Sequence, residues 1–142
     1  MKRMTAHRCA AVLAGALLTT GVFASAAQAA DGGRGHEKTR LNATAYYGSL
    51  DPLARQTHGL KARFVKTDGT PVEGLPVKFT VSGEKTFLCN ATTDSDGYAE
   101  CKNSPLPLGV PTVKALLYGY DATFEGNARY APVNAHNSIG IP

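Results

Sequence analysis

Apolar residues recur along this chain with period 2 in a series of short runs. Leu41, Ala43 and Ala45 alternate with Arg40, Asn42 and Thr44, and Leu60, Ala62 and Phe64 with Lys61, Arg63 and, less cleanly, Val65. Val77, Phe79 and Val81 alternate with Lys78, Thr80 and Ser82; Phe87, Cys89 and Ala91 continue the theme, Ala99 and Cys101 resume it, and Tyr120, Ala122 and Phe124 alternate with Asp121, Thr123 and Glu125. Such alternation marks strands with one face in a core. The stretch from Val133 to Ile141 is polar and glycine-bearing and reads as an edge strand. Turn signals separate the runs: "GSLDP", "KTDGTPVEG", "DSDG", "NSPLPLGVP" and "EGNARYAP". No stretch of this region holds a sustained 3.6-residue apolar period. Seven or so short strands predict an all-β sandwich, because a lone hairpin is unstable while two sheets burying Leu, Val and Phe against each other are not.

The amino end follows another pattern. Lys2, Arg3, His7 and Arg8 precede an uncharged apolar stretch from Cys9 to Ala24, and the small residues of "ASAAQAAD" follow. This is the layout of a secretory signal peptide, and the apolar run is short of the ~20 residues that span a bilayer. Cleavage is expected after Ala29, at Ala27-Gln28-Ala29. The chain then divides into a signal at 1–29, a glycine-rich, charged leader at 30–38 and one domain at 39–142. Three of the fifteen Lys and Arg lie in the signal and none of the eleven acids does, so the remaining 113 of 142 residues carry a net charge of only +1. That balance offers no footprint for nucleic acid. With no later apolar span and no visible sorting signal, the product is expected to be secreted, without membrane insertion after signal removal.

Two cysteines remain after the signal, Cys89 and Cys101. In an exported chain an even count argues for a disulfide. The midpoint falls in "TTDSDGYA", whose Asp94, Ser95, Asp96 and Gly97 suit a β-turn. The expectation is a hairpin that sets Cys89 opposite Cys101, Ala91 opposite Ala99 and Thr93 opposite Gly97.

Three segments, "DGTPVEGLPVKFTV" (68–81), "TTDSDGYAEC" (92–101) and "YDATFEGNARYAP" (120–132), resemble the bacterial Ig-like domains of surface and secreted proteins, the group that includes the invasin and intimin repeats. The resemblance runs from about Thr39 to the end. It implies an immunoglobulin-like β-sandwich used as a stalk, spacer or adhesive module, and it brings no catalytic residues. Because such domains commonly occur in tandem on anchored proteins, a single copy argues against spacing and leaves a binding or a structural role, the latter as part of a larger assembly.

Candidate chemistry is sparse. His36, His58 and His136 have no ligand spacing, and "DSDG" lacks the acidic positions of a calcium loop; neither metal nor cofactor is expected. No Gly-x-Ser-x-Gly elbow surrounds any serine, so no enzyme activity is assigned. The distinctive surface candidates are aromatic. Tyr46 and Tyr47 are adjacent, so one of them must face outward, and Tyr98 falls beside a turn; exposed tyrosines suit a protein or carbohydrate partner at the cell envelope. A second possibility is a small secreted inhibitor, of proteases for example, in which the proline-stiffened loop 103–111 offers Leu106 or Leu108 as its anchor.

Overall fold

A computed structural model describes residues 35–142; the expected export signal at 1–29 and the start of the expected leader lie outside the described residues. The strands in chain order are β1 (Leu41–Ala45), β2 (Gly48–Asp51), β3 (Gln56–Lys66), β4 (Pro76–Val81), β5 (Thr86–Thr92), β6 (Tyr98–Pro105), β7 (Tyr120–Phe124), β8 (Val133–Asn137) and β9 (Ile139–Gly140), with one helix, α1 (Thr112–Tyr118), between β6 and β7. The eleven-residue β3 is the axis of the first sheet. One side of it pairs with β6; the other pairs with β1 and β2 in a single register, from Leu41↔Lys66 to Asp51↔Gln56. β9 adds to β2 in parallel. The second sheet runs β5-β4-β7-β8, antiparallel throughout. Pairing β3 with β6 in one sheet and β4 with β7 in the other is the arrangement of an immunoglobulin-like sandwich.

The expected alternation fills the core. Leu60, Ala62 and Phe64 from the first sheet meet Val77, Phe79, Val81, Tyr120, Ala122 and Phe124 from the second, all buried, and each large side chain among them contributes roughly 1.5–3 kcal/mol relative to exposure. Thr57 is also buried, although it is three residues from Leu60. Gly59, at φ 66°, breaks the alternation between them, a backbone that glycine adopts without cost from a Cβ. The Thr57 hydroxyl donates to the Ser104 carbonyl at 3.0 Å, and the Ser104 hydroxyl crosses to the second sheet to donate to the Leu88 carbonyl at 2.7 Å.

The disulfide between Cys89 and Cys101 is present, with the Cα atoms 6.5 Å apart, but the expected hairpin is not. Cys89 pairs with Phe79 in the second sheet and Cys101 with Leu60 in the first. Ala91 faces Val77, and Ala99 faces Ala62. The segment between them is an arch that carries the chain from one sheet to the other, and the disulfide ties the two sheets together. The turn chemistry is local and intact: Asp94 Oδ1 accepts the N–H groups of Asp96 and Tyr98, both at 2.9 Å. Its flanks find partners elsewhere. Thr93 donates its N–H to the Leu75 carbonyl at 3.0 Å, and Phe64 donates to the Gly97 carbonyl at 2.8 Å. A Cβ on Gly97 would stand 2.5 Å from the Phe64 carbonyl oxygen, so only glycine fits the arch there.

Four further expectations are corrected. Phe87 does not continue the inward series: a bulge pairs Phe79 with Cys89 and Thr80 with Phe87, which leaves Leu88 buried and Phe87 exposed, as one extra residue reverses the side-chain parity of a strand. "GSLDP" is mostly strand, since Gly48–Asp51 form β2. The run from Val133 to Ile141 splits at Ser138, its first part ending the second sheet and its last two residues joining the first. The region expected to lack helix contains α1, of whose seven residues only Ala115 is buried, too few for a helical period to show in the sequence. The count among the described residues is therefore nine strands rather than about seven.

Replacing both Cys89 and Cys101 by Ala is expected to lower stability by about 2–4 kcal/mol, on the loop-entropy account of a cross-link of this length, with strand content retained in the far-ultraviolet spectrum. Urea unfolding of the oxidised, reduced and double-mutant proteins measures this; identical midpoints would exclude a stabilising bridge.

Candidate functional site

Tyr46 and Tyr47 occupy the break between β1 and β2, and both are exposed, so neither is turned fully inward. The Tyr46 backbone is held from two sides: its N–H donates to the Lys61 carbonyl at 2.9 Å, and its carbonyl accepts from the Tyr120 hydroxyl at 2.5 Å. So anchored, its ring meets that of Tyr98 across β3, with centroids 5.9 Å apart at 48°. Tyr47 is directed elsewhere, its hydroxyl standing where a side chain at Gly140 would be.

β3 supplies two cations to the same face by alternation, Lys61 and Arg63. The Lys61 ammonium lies 4.5 Å from the Tyr98 ring centroid and the Arg63 guanidinium 5.1 Å from it, within cation–π range. Arg63 Nε donates to the Asp96 carbonyl of the arch at 3.0 Å, which fixes the plane of the guanidinium. Glu100 faces Lys61 at 3.9 Å with both groups substantially exposed, a pair worth little to stability. The hydrogen bond with the Tyr98 side chain holds the Tyr46 phenol above its ordinary pKa, partial burial adds to this, and Arg63 opposes it. Asn42 and Thr44 complete the polar, exposed surround.

The other predicted anchors separate. Leu106 is buried, with its N–H donating to the Arg55 carbonyl at 2.8 Å, so it belongs to the core and cannot serve as a contact. Leu108 is 92% exposed. The loop that carries it is braced by Arg55, whose Nη2 donates to the carbonyls of Pro107 and Val110 at 3.0 and 2.9 Å. Leu108 follows the end of β6 opposite to the arch and does not join the tyrosines.

One cluster went unread in the sequence. Ser82 Oγ and His136 Nδ1 lie 2.8 and 2.9 Å from Asp121 Oδ1, and 2.9 Å from each other. Hydrolytic triads place the imidazole between serine and carboxylate, one nitrogen to each. Here the same nitrogen faces both, and the Ser82 hydroxyl is bonded directly to the carboxylate, so the cluster fastens β7 and β8 to the end of β4. Only the facing of Asp121 and His136 in the register could have hinted at it. Two shallow depressions of about 420 Å³ each adjoin Phe124 on the second sheet, one floored by the Lys78–Glu125 ion pair. Among the described residues there is no group of three or more metal-ligating side chains, and no helix is long and apolar enough to cross a membrane.

The class defined by this architecture is an all-β, disulfide-bridged sandwich with an aromatic and cationic patch on one sheet face. Comparison with models of known protein families and with curated proteins returned no match.

Tyr120 is fully buried, stacks on Phe79 with centroids 5.9 Å apart, and its hydroxyl also lies 2.7 Å from the Lys61 carbonyl. Burial raises its pKa above the ordinary phenol value. A raised folded-state value adds stability that is complete below the unfolded pKa near 10 and is lost as pH rises through the folded value. Tyr120→Phe is expected to cost about 1–3 kcal/mol by orphaning a buried carbonyl. Its deficit against the native protein should shrink above pH 10 in denaturant titrations; a deficit constant to pH 11 would contradict this linkage.

Proposed function

We propose that this chain is a secreted, non-catalytic binding module of immunoglobulin-like type, acting at or near the bacterial cell envelope through the outer face of β1, β3 and β6. The observation that carries the reading is the Tyr46–Tyr98 pair with Lys61 and Arg63 set against it. Rigid aromatic rings and a guanidinium are the side chains that most often anchor a partner, and here Tyr98, Lys61 and Arg63 stand on strands while Tyr46 follows β1 with its backbone hydrogen-bonded to β3. The resemblance of residues 68–81, 92–101 and 120–132 to bacterial Ig-like domains supports the same assignment. Export rests on the basic, apolar and small-residue order of residues 1–29, with which the disulfide agrees.

A second reading, a protease inhibitor acting through Leu108, is favoured by the exposure of that side chain on a loop stiffened by Arg55 and flanked by Pro107 and Pro111. No disulfide flanks the loop to keep it intact after cleavage, so the tyrosine face is preferred.

Two outcomes are expected. Amino-terminal sequencing of the product released into the medium should begin at Ala30 or within a few residues of it; a released chain retaining Cys9 would refute processing. Retention of the mature protein by envelope fractions should fall at least tenfold in a Tyr46→Ser, Tyr98→Ser double variant and be unchanged in Leu108→Asp, while a panel of secreted proteases remains uninhibited. Nanomolar inhibition abolished by Leu108→Asp would replace this reading with the second.

A further inference from the structure

We infer that the Tyr46–Tyr98 face takes an acidic polysaccharide, one whose sugar units carry a ring carboxylate, with the sugar ring stacked on tyrosine and the carboxylate paired with Arg63 and Lys61; this rests on the binding-module reading above.

The argument begins with the shape of the patch. Two rings tilted at 48° on a sheet face offer exposed aromatic surface without an enclosing cavity. Their neighbours on the same face, Asn42, Thr44 and Glu100, are polar and exposed. A protein interface of useful affinity needs a contiguous apolar centre that excludes water, and this face has none around its two rings. A sugar ring needs less. Its C–H face covers one aromatic ring, and its hydroxyls turn to hydrogen-bonding neighbours of the kind that amide, hydroxyl and carboxylate side chains provide.

The charge then selects among sugars. Both cations lie against the Tyr98 ring, at 4.5 and 5.1 Å from its centroid. A carboxylate on a sugar stacked there would lie beside them. Arg63 is preset for this, because its Nε is spent on the Asp96 carbonyl and its orientation is set before any ligand arrives; a planar guanidinium is the group best matched to a carboxylate. Lys61 is held only loosely by Glu100 at 3.9 Å and is free to exchange partners. A repeating polymer suits a patch of this kind, since many weak contacts along one chain raise the effective affinity of each.

The test uses the disulfide-bonded protein without residues 1–29 and two probes with the same sugar backbone, one charged and one neutral: oligogalacturonate and the same oligomer with its carboxylates methyl-esterified. Calorimetry and amide chemical-shift mapping are run at low and high salt. The expected result is binding of the acid form, with shifts centred on residues 44–46, 61–63 and 96–100, at least tenfold weaker binding of the ester, and weakening by salt. Arg63→Gln should abolish the preference for acid over ester, whereas Tyr98→Ala should weaken both. Shift mapping on the native protein stands even where a variant folds poorly. Equal binding of acid and ester at this face, or retention of envelope proteins through the tyrosines with no response to either oligomer, would overturn the acidic-sugar inference and leave the binding-module reading in place. Acid-dependent binding mapped to another face would overturn both.

Discussion

The hydroxyl of Tyr120 is the point through which the inside of this domain controls its outside. The ring is stacked on Phe79 within the second sheet, and the hydroxyl reaches across the sandwich to carbonyls of Tyr46 and Lys61 in the first. An isolated buried phenol would be costly, so the sheets must approach closely enough, at the break between β1 and β2, for that group to be satisfied. The same contact fixes the backbone of Tyr46, whose ring is half of the exposed aromatic pair. Core packing and the geometry of the surface patch are therefore coupled through one side chain, and loosening the first should blur the second.

The disulfide acts on the other side of the sandwich. β5 and β6 are the outermost strands of their respective sheets on that side, and the chain passes directly from one to the other through the Asp94 arch. Closing that margin with Cys89–Cys101 joins the sheets where no strand pairing does. The arch also delivers Tyr98 and the Asp96 carbonyl to the face where Arg63 waits. Asn137 adds a polar clasp, its side-chain amide donating to the Ala45 carbonyl at 2.7 Å, so that the end of β8 in the second sheet is tied to the end of β1 in the first.

Strands and core faces were legible in the sequence wherever period-2 alternation was regular, as in Leu60-Ala62-Phe64, Val77-Phe79-Val81 and Tyr120-Ala122-Phe124. Legibility failed where the backbone changed parity. The bulge at Leu88 exchanged the roles of two apolar neighbours within a strand of ordinary composition, and Gly59 brought Thr57 inward; a glycine inside a strand marks an irregularity without saying which neighbour it turns. The hairpin error has a different origin: turn chemistry and apolar alternation are the same for a hairpin and for an arch, and only the competition for partners, Ala62 for Ala99 and Val77 for Ala91, distinguishes them. That competition is non-local and leaves no trace within the segment. For the same reason the sequence could nominate Tyr46 and Tyr98 but not show that they meet, and it could not separate buried Leu106 from exposed Leu108, two leucines in the same proline-rich setting.

The proposed binding role draws on how the described domain arranges its polar and charged side chains. In its most reactive-looking constellation, Ser82 with Asp121 and His136, one imidazole nitrogen faces both the serine hydroxyl and the carboxylate, and the hydroxyl also lies against the carboxylate, so the imidazole does not stand between them. Two of its cations, Lys61 and Arg63, lie against the ring of Tyr98, within reach of the ring quadrupole, and Arg63 is also bonded to the Asp96 carbonyl. A side chain restrained as Arg63 is loses little further freedom when a ligand arrives, which lowers the entropic cost of binding. Three of the four side chains of the patch stand on paired strands and the fourth, Tyr46, has its backbone bonded to β3, so the proposed recognition would need no rearrangement of the backbone. A surface so pre-organised gains selectivity from where its few charges are fixed, and here they are fixed beside an aromatic ring, which favours a ligand that brings a flat apolar face and a negative charge together.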